Sequence, residues 1–174
     1  MKADGQTGLV LLVPDLDPVI GRWRERYDPV TAYGMPAHVT VVYPWKPAAT
    51  ITESDRAALA ELAREVPTIE LAFTGFGSFD KTLWLDPQPA DPIRRLVDAV
   101  VARWPDHPPY GGQFAVVVPH VTVSDGRDPT GMQHVVDDVE SQLPRSTRVA
   151  ELTLMRCASN RWSVDASYPF AGSR

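Results

Sequence analysis

The chain has 174 residues, a formal net charge of −5, 44% apolar and 22% charged residues. Those values suit one soluble globular domain and exclude a disordered chain or a membrane bundle. The acidic balance argues against a protein that grips long nucleic acid through many phosphates, because such proteins are basic.

In chain order, Leu9 to Val13 reads as a short buried strand between Gly8 and Pro14. This apolar run is too short for the core of a secretion signal. Asp17 to Tyr27 predicts a helix, with Asp17 as cap and Pro18 in the first turn. Ala37 to Tyr43, rich in valine and threonine, predicts a strand bracketed by Pro36 and Pro44. Thr52 to Glu65 carries apolar residues at helical spacing behind a Thr52 or Ser54 cap. Ile69 to Thr74 and Thr82 to Leu85 predict two strands joined through Gly75, Gly77 and Asp80. Asp91 to Trp104 predicts a third helix. Phe114 to Val123 is β-rich but interrupted by Pro119, and Asp128 to Leu143 predicts a fourth, long helix. Val149 to Cys157 and Arg161 to Ala166 predict a closing pair of strands.

This order of elements repeats. Residues 37–86 and 118–166 each run strand, helix, strand, strand. A two-fold internal duplication predicts an α+β, bilobal fold: two pseudo-symmetric lobes, each with an antiparallel sheet and packed helices, around a central cleft. The whole of 1–174 is read as one such domain with interleaved lobes.

The two copies share a tetrapeptide, His-Val-Thr-Val, at 38–41 and again at 120–123. With 12 threonines and four histidines in the chain, two histidines followed at +2 by threonine arise by chance about 3% of the time. A lone His-x-Thr in a strand is ordinarily structural. Two at equivalent places in a repeat are not so easily dismissed. In a strand, alternate side chains share a face. His38 and Thr40 therefore point one way and Val39 and Val41 the other; His120 and Thr122 oppose Val121 and Val123 in the same manner. Pseudo-two-fold packing would bring two imidazoles and two hydroxyls into one pocket. That set matches phosphodiester cleavage: one neutral imidazole as base, one charged imidazole as acid, and hydroxyls to hold the phosphate oxygens. Metal ligation is the rival reading for paired histidines, but the remaining carboxylates and histidines form no ligand pattern. The expectation is no metal and no cofactor.

The paired motifs, 82 residues apart, together with the turn Tyr43-Pro44-Trp45, resemble the two-histidine phosphoesterase superfamily, which includes bacterial 2′-5′ RNA ligase-like and cyclic phosphodiesterase proteins. The resemblance runs from about Leu9 to Tyr168. It implies a bilobal α+β fold and metal-free phosphodiesterase chemistry on a 2′,3′-cyclic phosphate or 2′-5′ linkage, with a place in RNA processing. By motif position His38 and His120 become the acid/base pair, and Thr40 and Thr122 the phosphate-binding hydroxyls. Many RNA-directed members place an arginine where this chain has Asp125. Arg127 is the candidate to replace that cation. The departure favours a small cyclic nucleotide or an RNA end over long RNA.

Further residues stand as substrate-binding candidates or neighbours of the site. Ser124 shares the face of His120 by alternation. Tyr43 could stack on a base, although strict alternation sets both it and Trp45 opposite His38, among core positions. Lys81, His107 and His134 read as solvent-facing or helix-packing residues, and Tyr33 and Met35 could line the pocket without any spacing argument for it. Cys157, the only cysteine, reads as a buried thiol in a reducing compartment, so a cytoplasmic monomer with no membrane contact is expected. Two alternatives stay open: a nucleotide- or phosphate-binding module without turnover, and 2′-5′ ligation, which would use the same residues in reverse.

Overall fold

The computed structural model describes residues 4–172. Eight strands and four α-helices make up its regular structure. Strand β1 (Thr7–Leu12) is the apolar run near the start, and α1 (Asp17–Tyr27) follows a short 3-10 turn at Pro14–Leu16. The Asp17 side chain makes no capping hydrogen bond; Pro18 in the first turn removes the need for one donor partner there. Strand β2 (His38–Val42) carries the first motif. Helix α2 (Glu53–Glu65) opens on a reciprocal cap: the Asp55 amide donates to the Thr52 hydroxyl at 3.1 Å and the Thr52 amide donates to the Asp55 carboxylate at 2.8 Å. Strands β3 (Ile69–Phe79) and β4 (Thr82–Gln88) form a long hairpin before α3 (Asp91–Arg103). The second motif runs from His120 into β5 (Val121–Asp125), followed by α4 (Gln133–Glu140), β6 (Arg145–Val149), β7 (Glu151–Ala158) and β8 (Arg161–Pro169).

The strands build two four-stranded antiparallel sheets, in the orders β2-β1-β7-β8 and β5-β4-β3-β6. The α+β, two-lobed architecture expected from the repeat is therefore present. Residues 37–86 and 118–166 each contribute strands to both sheets, so the lobes interleave. Each motif strand lies on the edge of its sheet, and β2 and β5 approach one another across the gap between sheets. Helix α1 packs on β5 and α3 on β2, which ties each lobe to its neighbour's motif strand. One apolar core joins both sheets, with Leu9, Leu11, Val39, Leu85, Val121 and Leu154 among its fully or almost fully buried members. A smaller cluster of Val10, Met35, Met155, Cys157 and Trp162 lies on the other face of the first sheet.

Four elements depart from the sequence reading, each for a local reason. The expected strand over 114–123 begins only at Val121; Phe114 and Val116 are exposed and find no core to fill. The expected helix over 128–143 is split into a 3-10 turn at Pro129–Met132 and the eight-residue α4, with Gly131 and the Asp128 side-chain cap in the turn. The strand expected over 149–157 is two strands, because the chain leaves one sheet after Val149 and enters the other at Glu151. The expected strand is thus β7 with only Val149 shared with β6, and β6 itself, carrying Arg145 and Arg148 on an edge strand, was not expected. The hairpin is longer than expected. Gly77 stays extended in β3 because the Trp84 indole lies flat against it: a Cβ there would sit 2.2 Å from two ring carbons. No helix among the described residues is long and apolar enough to cross a membrane.

Candidate active site

Both motif strands line one cleft of about 680 Å³ between the sheets. His38, Thr40, His120 and Thr122 all face it. Val39, Val41, Val121 and Val123 are buried in the core, as alternation requires. The two imidazoles are held alike. Nδ1 of His38 lies 2.7 Å from the Pro36 carbonyl, and Nδ1 of His120 lies 2.7 Å from the Val118 carbonyl. A carbonyl can only accept, so each Nδ1 carries a proton and each Nε2 is left for the cleft.

The surroundings of the two rings differ in charge. Burial pushes His38 down to about 4; the Pro36 carbonyl opposes this, while Arg24 and His120 add to it. Burial also lowers His120, but there the Val118 carbonyl and the Asp125 carboxylate both favour the charged form. Arg24 is itself buried, 3% exposed, and donates to Asp28 through Nε at 3.2 Å and a terminal nitrogen at 2.9 Å. Asp28 lines the cleft wall. Burial raises its pKa, with Arg24 as the main opposing influence. The site thus has a cation behind His38 and an anion beside His120.

A matched irregularity decides what else faces the cleft. In β2, Leu9 pairs with Val42 and Val10 with Thr40, so Val41 is an extra residue. In β5, Leu83 pairs with Ser124 and Trp84 with Thr122, so Val123 is extra. Each motif strand bulges one residue after its threonine, and the alternation resets. Val42 and Ser124, at equivalent positions, are both 0% exposed, and the next residues, Tyr43 and Asp125, line the cleft instead. Ser124, expected beside His120, is thereby sealed away from any ligand. Tyr43, expected among core positions, is a cleft residue whose hydroxyl donates to Gln6 at 2.8 Å. Trp45 does enter the core, edge-on to Trp104 with ring centres 5.3 Å apart. Arg127 does not replace the missing cation: it is exposed, outside the cleft lining, and its guanidinium lies 5.1 Å from the centre of the Tyr27 ring.

Tyr33 and Met35 line the cleft, and so does Lys81, which the sequence reading left in solvent. His107 and His134 stay outside it. Tyr110 was not anticipated. Its backbone is left-handed (φ 53°, ψ 29°), its amide donates to the Tyr43 carbonyl at 2.6 Å, and its side chain stands beside Thr40. It comes from the segment Pro108-Pro-Tyr-Gly-Gly112, where no periodicity marks one residue over another. On the other side, His120 is braced by rings: Phe79 stands edge-on at 5.2 Å and Trp84 tilts against it at 5.9 Å between centres. Since Trp84 rests on Gly77, Gly77→Ala should push the indole toward His120. We expect a loss of about 1–3 kcal/mol of stability, the usual cost of over-packing, together with reduced turnover. A thermal melt and a rate measurement check this; an unchanged melting temperature would mean that Trp84 is free to move.

Among the described residues, no group of three or more histidine, cysteine or acidic side chains is placed to hold a metal ion.

An interleaved pair of antiparallel sheets with twin His-x-Thr strands at a shared cleft defines a two-histidine phosphoesterase fold. The 2′-5′ RNA ligase superfamily profile matches residues 12–161. The chain belongs to that superfamily. It is 31% identical over 145 residues to "Putative phosphoesterase GK0864" of Geobacillus kaustophilus, covering 78% of this chain and 76% of the relative. Escherichia coli LigT, solved with NADP+, superposes with a TM-score of 0.60 at 18% identity over 98% of this chain and 99% of that one. TT0787 of Thermus thermophilus does so with a TM-score of 0.61 at 15% identity, over 97% and 100%. At such identities these two structures speak for the fold alone.

Proposed function

We propose that the protein is a metal-independent phosphoesterase that hydrolyses a 2′,3′-cyclic phosphate or 2′-5′ phosphodiester of a nucleotide or RNA end, with His38 as general base and His120 as general acid. The observation that carries this reading is the pair of imidazoles in one cleft, each with Nδ1 fixed by a backbone carbonyl and Nε2 free. The charge asymmetry supports this division of roles. Arg24 disfavours a proton on His38, so that ring is the one ready to accept a proton from attacking water. Asp125 favours a proton on His120, so that ring is the one ready to donate to the departing ribose oxygen. Thr40 and Thr122 supply hydroxyls to the non-bridging oxygens, and Tyr110 stands beside Thr40. As water's oxygen bonds to phosphorus, its proton passes to His38, the P–O bond to the ribose breaks, and His120 gives that oxygen its proton. The buried thiol of Cys157 suits a reducing, cytoplasmic setting.

The pH dependence follows in sign. The productive form has His38 neutral and His120 charged. His38 is neutral above about 4, and His120 loses its proton below the ordinary histidine value because burial lowers it. We therefore expect kcat/KM to be bell-shaped, with its maximum on the acid side of pH 6.5. Asp125→Asn removes an anion that holds the His120 proton, so the alkaline limb should move to lower pH. A limb that stays in place, or moves up, would contradict the assignment.

The test of the whole reading is a turnover screen over 2′,3′-cyclic nucleotides, cyclic dinucleotides and 2′-5′ oligonucleotides, with and without a chelator. Hydrolysis of at least one class, undiminished by chelation, is expected. Saturable binding with no hydrolysis in any class would favour a binding module, and loss of rate restored by one added metal would favour metal chemistry.

A further inference from the structure

Resting on the phosphoesterase reading, the geometry points to a narrower substrate class: a small cyclic phosphodiester that bears a single negative charge and a sizeable apolar group, rather than the end of a polyphosphate or RNA strand. Two features of the cleft carry this, one apolar and one electrostatic.

Four large apolar side chains are conspicuously exposed on the described surface, and three of them line this cleft: Phe79 at 41%, Phe114 at 58% and Val116 at 73%. Exposed apolar residues gathered in one place mark a binding surface, whereas single ones scattered over a protein do not. These three also sit where a substrate would need them. Phe79 touches the His120 ring edge-on. Phe114 stands edge-on to Tyr110 with ring centres 5.4 Å apart, and Tyr110 stands beside Thr40. The apolar rim therefore runs from one histidine-threonine pair to the other. Phe114 and Val116 belong to the stretch that was expected to be a strand and is not. Their lack of a core partner is consistent with a surface kept for a ligand.

The charges lining the cleft are Asp28, Asp80, Asp125 and Lys81, beside the two histidines. Arg24 neutralises Asp28. That leaves Lys81 as the one lining lysine or arginine among the described residues, against Asp80 and Asp125. Such a wall accepts one phosphodiester charge and repels further phosphates. A strand of RNA brings one more negative charge with every nucleotide, and no second lining cation meets it. The rim offers that strand apolar surface instead.

The experiment compares three substrates: adenosine 2′,3′-cyclic phosphate, the same nucleoside carrying an additional 5′-phosphate, and a trinucleotide ending in a 2′,3′-cyclic phosphate. We expect kcat/KM for the first to exceed the other two by at least tenfold at low salt. The gap should narrow several-fold in Asp80→Asn/Asp125→Asn protein and at 0.5 M salt. Phe114→Ala with Val116→Ala should raise KM for the cyclic nucleotide several-fold more than for ethylene cyclic phosphate, which has no apolar group to place. Equal or better use of the trinucleotide, or a gap indifferent to the acidic residues, overturns the inference. Calorimetric binding of the same three compounds to His120→Ala protein separates this from the catalytic reading. The same order of affinities with no turnover in the native protein would count against the reaction and for the charge selection; a reversed order, or no binding of any of the three, would count against the charge selection itself.

Discussion

Alanine at His38 or at His120 should each lower kcat by about 10²–10⁴, the usual contribution of a positioned proton-transfer group. The double variant should lose little more than the worse single one, because the two rings serve one proton-transfer cycle and their effects do not add. Both folds should survive. Among the described residues, each ring's only hydrogen bond goes to a carbonyl two residues upstream, so neither imidazole ties distant elements together. The native histidine is even a liability in acid. His38 is held down to about 4 in the folded chain, against about 6.5 unfolded. Between those values the unfolded state binds more protons, so stability present above pH 6.5 is lost as pH falls toward 4. The largest loss would be about 3 kcal/mol, less in practice because the ring meets water on the cleft side. His38→Ala should therefore melt at a higher temperature, relative to the native chain, at pH 5 than at pH 7.5. Thermal melts at the two pH values, beside the rates, make the check. Activity within tenfold of native in either variant would remove the acid/base assignment, and a collapsed fold would assign the histidine to structure.

How far this site was legible in the sequence depends on one residue per strand. Alternation placed His38, Thr40, His120 and Thr122 on the cleft face, and the repeat placed them opposite each other. Alternation failed one step later. The extra residues Val41 and Val123 swap the faces of everything downstream, which buries Ser124 and turns Tyr43 and Asp125 into the cleft. A bulge arises from how an edge strand meets its neighbour, and a run of valines offers no local sign of it. The helices were legible because caps, prolines and periodicity are local: α1 spans the expected Asp17–Tyr27 and α2 opens at Thr52. Strand β6 and the break at Ala150 were not, since only the second sheet explains why a charged segment is extended. Tyr110 was out of reach for the same reason. It is brought to Thr40 by a left-handed turn and a backbone bond to Tyr43, contacts made between segments distant in sequence. The cation behind His38 is hard to find for a different reason. The run Arg22 to Arg26 has the composition of a charged helix face, yet Arg24 points inward, where Asp28 four residues on meets it.

That inward pair is where the largest change in stability should follow from one substitution. In Arg24→Met protein the Asp28 carboxylate, 3% exposed, keeps only the Val30 amide at 3.2 Å and loses both guanidinium bonds. Removing one member of a buried ion pair ordinarily costs about 3–5 kcal/mol, because the remaining charge stays buried without its partner. Asp28 can escape that cost by taking a proton. Burial already raises its pKa, and Arg24 is the chief influence holding it down. A carboxyl whose folded pKa lies above its unfolded value favours the folded state at low pH and loses that advantage as pH rises. The deficit of Arg24→Met should accordingly be full at pH 7.5 and distinctly smaller at pH 5. Urea unfolding at both pH values measures it. Arg24→Met with Asp28→Leu should recover most of the loss, since the pair is then replaced by apolar volume. The rate carries a second signature. Without the guanidinium, His38 accepts a proton more readily, so the acid limb of kcat/KM should move to higher pH in both variants. A cost under about 1 kcal/mol that is equal at the two pH values would mean that cleft water already solvates Asp28, and an acid limb that does not move would show that Arg24 has no part in keeping His38 neutral.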